Sequence, residues 1–311
     1  MSHQIYLRDS TLRNGLDVPG VSFSMGQKLA VIDQLDRVGV PEAEIVAPSR
    51  VVEDLGFAKR VQERELGLRT SGLIYASSPD VEAEMKAAAS LLDRFDLLMP
   101  LSEKRRPIGG GRKVSTLMDA LDQGRSLTDD IGVGFPHATQ ASPLFLLEIA
   151  HLAIKAGARR VMIYDTNGSS EPFALRIMLE QLISEIRVPV FFHSQNDLGL
   201  ALANSWAAVL AGVAGLGVSS TGLGYRAGNA CLEQVAVLMD KSGIQTGIRL
   251  TEMETLARQV SRASGVPLSK LAPVVGELVF HHRVPSHREH PDQFEAFSPA
   301  LVGGSRRLID D

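Results

Sequence analysis

Short apolar runs rich in β-branched residues recur along the chain, separated by longer stretches with the three-to-four-residue spacing of a helix. Residues 5–7, 43–47, 68–75, 95–99, 131–134, 161–164, 188–192 and 216–219 read as strands. Residues 26–38, 79–92, 143–156, 172–186 and 200–211 read as amphipathic helices. Ser24 precedes Gln27 at capping-box spacing, and Ser142-Pro143 and Glu171-Pro172 place proline at a helix start. Gly39, Gly157 and Gly212 follow helical runs as stops. Eight strands, most followed by a helix, predict a parallel α/β sheet. A closed TIM (β/α)₈ barrel is preferred to an open doubly wound sheet, because the strand count is eight and little chain is left for a second domain.

The barrel is expected to span residues 1–248, and residues 249–311 to form a short C-terminal helical and irregular extension. Residues 251–264 read as one more helix. A segment rich in proline and histidine follows, and it holds four of the chain's eight histidines: His281, His282, His287 and His290. With no barrel slot of its own, it is expected to contact a second subunit and make a homodimer.

Composition narrows the picture. A hydrophobic share of 44% with 22% charge is that of a globular protein. A net charge of −4 gives no broad field to attract nucleic acid. The single cysteine, Cys231, excludes an intramolecular disulfide and suits a reducing compartment. It lies in an apolar helical pattern with Leu232 and Val235, which predicts a packing role. No secretory leader or membrane-length apolar run is seen, so a cytoplasmic location without membrane contact is expected.

In a closed parallel barrel the C-terminal strand ends meet on one face, where groups can act together. Those ends are polar here. They carry Arg8 to Gly15, Glu44, Asp165 to Gly168, His193 to Asp197, and Ser219 to Asn229. Turn chemistry could explain any one of these loops, but four loops opening on one end point to a site.

Several of these loops resemble one family. Asp9 with Ser10-Thr11-Leu12-Arg13-Asn14-Gly15 is similar to D-[ST]-T-L-R-[DE]-G, and His193-Ser194-Gln195-Asn196-Asp197-Leu198-Gly199 to H-x-H-N-D-x-G. Gly222-Leu223-Gly224-Tyr225-Arg226-Ala227-Gly228-Asn229-Ala230 is similar to G-x-G-E-R-x-G-N-A. These motifs resemble the isopropylmalate and homocitrate synthase family of DRE-TIM metallolyases. The likeness runs from Asp9 to about residue 290 and includes Glu277, His282 and His287.

The resemblance implies a biosynthetic acyltransferase. A divalent metal would hold a small 2-oxo acid, and the carbanion of an acyl-CoA would attack its carbonyl before thioester hydrolysis. Carried over by position, Arg13 would steady the oxyanion, Thr166 and Asn167 would hold substrate, and His287 would act as acid/base in the neighbouring subunit's site. Glu44 would join the proton-transfer network or form a buried salt bridge. The metal positions are Asn14, His193, Gln195 and Asn229. Two of them depart from the family, since Asn14 replaces a carboxylate and Gln195 a histidine. Such a set suits Mg²⁺ or Mn²⁺ better than zinc, held weakly or not at all. Tyr225 replaces the expected glutamate, Phe294 a tyrosine, and Pro136-His137 an acidic position.

Other features are weaker. The basic run Lys104-Arg105-Arg106, with Arg112-Lys113, could meet a phosphate of coenzyme A or be a solvated loop. Trp206 and His151 read as structural. Feedback control through a long C-terminal regulatory domain is not expected. Condensation leads; cleavage of a 2-hydroxy acid and non-catalytic binding of a 2-oxo acid or CoA ester are the alternatives.

Overall fold

The computed structural model describes residues 4–48, 51–101 and 110–309. Eight parallel strands close into one barrel: β1 (Tyr6–Asp9), β2 (Glu42–Val46), β3 (Arg69–Tyr75), β4 (Arg94–Leu98), β5 (Ile131–Phe135), β6 (Val161–Asp165), β7 (Val190–Ser194) and β8 (Gly215–Val218). β8 pairs with β1 through Leu216 opposite Leu7, which removes both sheet edges and excludes the open sheet. Every expected strand is present. β1 and β7 run two residues further than the sequence pattern suggested, so Asp9 and His193 sit on strands rather than in the loops after them.

The helices are α1 (Thr11–Asn14), α2 (Met25–Val38), α3 (Val51–Gln62), α4 (Val81–Leu91), α5 (Gly110–Gly124), α6 (Pro143–Lys155), α7 (Pro172–Glu185), α8 (Ala201–Ala211), α9 (Leu232–Lys241), α10 (Met253–Ser264) and α11 (Pro285–Glu289). The predicted caps form. Ser24 Oγ accepts from the Gln27 amide at 3.2 Å, and Gln27 Oε1 accepts from the Ser24 amide at 2.7 Å. Gly39 and Gly212 end their helices in the left-handed region. One reading needs correcting. Cys231 lies outside the helical pattern assigned to it, as the residue before α9, where its thiol donates to Glu233 Oε2 at 2.8 Å.

Between helices and strands the core is apolar, with Phe57, Phe95, Ile149 and Leu179 fully buried. Inside the barrel a charged layer lies beside a small apolar cluster of Leu73, Leu98, Met162, Tyr164 and Phe191. Arg8 Nε lies 2.7 Å from Glu42 and 3.0 Å from Glu44, while another nitrogen pairs with Asp96. Arg160 meets the other Asp96 oxygen at 2.8 Å. Pairing every charge offsets the desolvation that would make any one of them intolerable alone. Glycines make the room. A Cβ at Gly132 would overlap Asp96 and Arg160, and one at Gly217 would overlap the His193 ring.

The segment after residue 248 begins on its own barrel. α10 packs against α2, Gln34 Nε2 donates to Glu252 at 3.0 Å, and Gln259 Nε2 donates to the Ala30 carbonyl at 2.6 Å. Beyond α10, the short strands β9 (His281–His282) and β10 (Arg307–Leu308) pair in parallel, with α11 between them in sequence.

Candidate active site

A cavity of about 210 Å³ opens at the C-terminal strand ends. Arg13, Thr166, His193 and Gln195 line it, between walls that include Leu73, Leu98, Tyr75, Tyr164 and Tyr225. This is below the size of a drug-sized pocket, so it suits a small acid while a larger co-substrate enters only by its reacting end.

α1 aims Arg13 into this cavity from the end of β1. Its Nε donates to Glu44 Oε2 at 2.7 Å, and its Nη2 lies 2.5 Å from the same oxygen. Both side chains are buried. Burial alone would raise the Glu44 carboxyl, but Arg13 and Arg8 outweigh it and hold the group below the usual carboxylate range. Glu44 is therefore ionised and spent on two guanidinium groups. It positions Arg13 through the buried salt bridge that was one of the two roles expected for it.

β7, β8 and their loops bring the four expected metal positions together. Asn14 Nδ2 donates to Asn229 Oδ1 at 3.0 Å and lies 3.5 Å from His193 Nε2. Gln195 pairs with Asn229 as an isolated antiparallel bridge. Burial, reinforced by the Arg13 charge, pushes the His193 imidazole down to about 3, so it is neutral. Asn14 Oδ1 and Gln195 Oε1 are buried without a protein partner. These residues do not fit a resident divalent cation. Three amides and one neutral imidazole bring no charge to offset the ion's dehydration, and the Asn14 NH₂ already occupies lone pairs an ion would need. Among the described residues, no three histidine, cysteine or carboxylate groups converge as metal ligands.

Thr166 also lies at the mouth. Its hydroxyl accepts from the His137 amide at 2.8 Å, and its carbonyl accepts from Arg226 Nη2 at 2.6 Å. Arg226 in turn grips Asp197 at 2.6 Å, clasping the loops after β6, β7 and β8. Asn167 does not join this group. It is exposed and lines a separate cleft between α6 and α7. His287 is also elsewhere in this chain. It lies on α11, stacked on Phe294 with ring centroids 3.8 Å apart, and no described residue beyond 248 lines the cavity. The basic run at Lys104, Arg105 and Arg106 falls outside the described residues, as does the Arg112 side chain.

Sequence reasoning missed two features. The first is the tyrosine wall of the cavity. The second is Glu233, fully buried, which accepts from Ser220 Oγ at 2.6 Å and from the Thr221 amide at 2.9 Å and so anchors the loop carrying Asn229. The interior charges did leave a signal: Glu42 with Glu44, and Arg94 with Asp96, stand two apart in otherwise apolar strands, on one face.

A closed parallel barrel with an arginine, an imidazole and amides converging at its strand ends defines a (β/α)₈-barrel enzyme whose chemistry sits on that face. Residues 4–260 match the HMGL-like family, and the chain belongs to it. It is 32% identical to homocitrate synthase 1 of Nostoc sp. over 99% of this chain and 83% of that protein. It is 34% identical to a homocitrate synthase of Frankia alni over 96% and 87%. With a 2-isopropylmalate synthase of Methanocaldococcus jannaschii it shares 30% identity over 98% of this chain, spanning 60% of that protein. The fold matches an HMG-CoA lyase from Acinetobacter baumannii, solved in complex with coenzyme A and 3-methylmalate, with a TM-score of 0.76, 19% identity and coverage of 91% and 98%. Among the described residues no helix is long and apolar enough to cross a membrane.

Proposed function

We propose that this protein joins the acyl group of an acyl-CoA to a small 2-oxo acid by a Claisen-type condensation. The observation that carries the reading is the Arg13 guanidinium, fixed by Glu44 and facing a small cavity at the strand ends. Similarity to homocitrate synthases across nearly the whole of this chain supports it. A base removes a proton from the acyl methyl, and the resulting carbanion attacks C2 of the oxo acid. The carbonyl oxygen becomes an alkoxide that Arg13 stabilises before it is protonated, and hydrolysis of the thioester releases coenzyme A. A guanidinium suits this because its charge is permanent and its donors are fixed in a plane. Thr166, on the cavity lining, is the proposed holder of the carboxylate. His287 of the partner subunit is the proposed base, which requires a dimer in which the extension crosses to the neighbouring cavity.

A second reading is cleavage of a 2-hydroxy acid through the same carbanion in reverse. The unpartnered Gln195 Oε1 favours it, being an acceptor suited to a substrate hydroxyl. The test is free-thiol release from acetyl-CoA over a panel of 2-oxo acids, with and without Mn²⁺. Release that depends on the oxo acid supports condensation. Silence across the panel, with cleavage of a 2-hydroxy acid in a second assay, makes the protein a lyase. Silence in both leaves a binding barrel.

A further inference from the structure

We propose that the site operates without a resident divalent cation, the Asn14 amide bridging two groups an ion would otherwise join and Arg13 supplying the positive charge. The proposal rests on the reading that the cavity takes a 2-oxo acid. One nitrogen of Asn14 reaches both Asn229 Oδ1 at 3.0 Å and His193 Nε2 at 3.5 Å. Asn229 Nδ2 donates to Ser219 Oγ and to the Leu223 carbonyl, which turns Asn229 Oδ1 toward Asn14 and sets the Asn14 NH₂ against it. The same NH₂ faces the His193 Nε2 lone pair in the tautomer that carries its proton on Nδ1. A carboxylate at this position would lack those hydrogens, and a cation would be needed to reconcile three electron-rich atoms. The amide removes that need.

Charge leads to the same conclusion. The nearby carboxylates are already engaged. Glu44 gives one oxygen to Arg8 and the other to Arg13. Asp9 accepts from the Thr11 amide and hydroxyl, both at 2.9 Å. Asp165 accepts from Thr139 Oγ1 at 2.9 Å and from the Ser170 amide at 3.2 Å. A divalent ion at Asn14, His193, Gln195 and Asn229 would find only neutral donors to replace its water, close to the Arg13 guanidinium, and in a low-dielectric interior that repulsion is weakly screened; Asp17, the carboxylate on the cavity lining, is engaged by the Tyr225 hydroxyl. The unpartnered Gln195 Oε1, on the cavity lining, matches a hydroxyl donor such as the tertiary alcohol of a 2-hydroxy acid.

The test uses the full chain, with Mn²⁺ and 2-oxoisovalerate as probes. Electron paramagnetic resonance of free Mn²⁺ reports metal uptake, and calorimetry reports oxo-acid binding in excess EDTA and in Mn²⁺. Wild-type protein is expected to leave the Mn²⁺ signal unchanged, with or without the oxo acid. The Asn14→Asp/Gln195→His variant should take up Mn²⁺ at least about tenfold more tightly, since it restores a charged ligand and an imidazole. Asn14→Asp alone serves if circular dichroism shows the double variant misfolded. Oxo-acid affinity should be the same in both buffers. Stoichiometric Mn²⁺ uptake by wild type, or loss of oxo-acid binding in EDTA, overturns the proposal. If the oxo acid binds in neither buffer, the substrate reading fails, and the Mn²⁺ comparison still decides this one.

Discussion

Glu44 divides its carboxylate between two buried guanidinium groups, with Oε1 3.0 Å from Arg8 Nε and Oε2 2.7 Å from Arg13 Nε. Arg8 belongs to the ion network inside the barrel, and Arg13 lines the cavity. One side chain thus links what holds the barrel together to what faces the substrate.

Arg13→Lys separates those two duties. Lysine keeps a charge opposite Glu44 but cannot reproduce the planar fork. Losing a preorganised oxyanion donor typically costs about 10²–10³ in turnover. Turnover should fall by that order while the melting temperature stays nearly constant. A rate within a factor of about three, under about 0.7 kcal/mol of barrier, would make Arg13 a structural residue.

Asp9 sets a pH dependence of stability. Burial pushes its carboxyl up to about 7 from an ordinary 3.8, despite the two hydrogen bonds from Thr11. Between those values the folded protein keeps a proton that the unfolded chain has released. This contribution is therefore complete below about pH 4, is lost as pH rises through about 7, and is flat beyond. Urea unfolding at about pH 5 and about pH 8 should show the decline, with a ceiling of roughly 3 kcal/mol over that interval. Asp9→Asn should remove this component, and an unchanged slope in that variant would assign the dependence to other groups.

Gly217→Ala should displace His193 rather than unfold the barrel. The added Cβ would overlap the imidazole, and overpacking of this kind costs about 1–3 kcal/mol. Activity should fall, and the His193 ring resonances should shift in NMR spectra. Unperturbed resonances would show that the backbone of β8 yields instead.

The dimer has its own test. Val284 and Phe294 leave large apolar surface exposed on the segment around His287. Sedimentation at micromolar concentration should give a two-fold dimer, and mixing His287→Ala with Arg13→Ala protein should restore part of the lost activity. A fully active monomer contradicts the crossing of the extension.

All eight strands were legible because each is a short apolar run closed by polar or glycine residues. Ser24 with Gln27 marks the start of α2 in the sequence alone. Two helices were less visible. In α3 the pair Glu53-Asp54 and the glycine at 56 interrupt the apolar spacing, and α5 opens on two glycines and two basic residues. The positions of Asn14, His193, Gln195 and Asn229 followed from motifs, but their mutual hydrogen bonding did not, because Asn14 and Asn229 are 215 residues apart in sequence. The partner of Arg13 was not legible either: Asp9 and Glu44 both stand near the strand ends, and only packing pairs Glu44 with Arg13 while Asp9 turns to Thr11. The position of Asn167 was not legible for a similar reason. It adjoins Thr166 in the chain, yet the turn after β6 faces it away from the cavity.

The inward glycines of β5 and β8 have a consequence for how such a site can change. A Cβ at Gly134 would overlap Leu98 and come within 2.9 Å of the Tyr164 ring, while one at Gly217 would meet His193. These strands hold open space that neighbouring side chains have already claimed. A single methyl there would act as a wedge, moving a wall or the His193 ring without itself entering the cavity. Altered specificity in this scaffold is thus within reach of one small substitution on the quiet strands, with the arginine, the amides and the loops that carry them left unaltered.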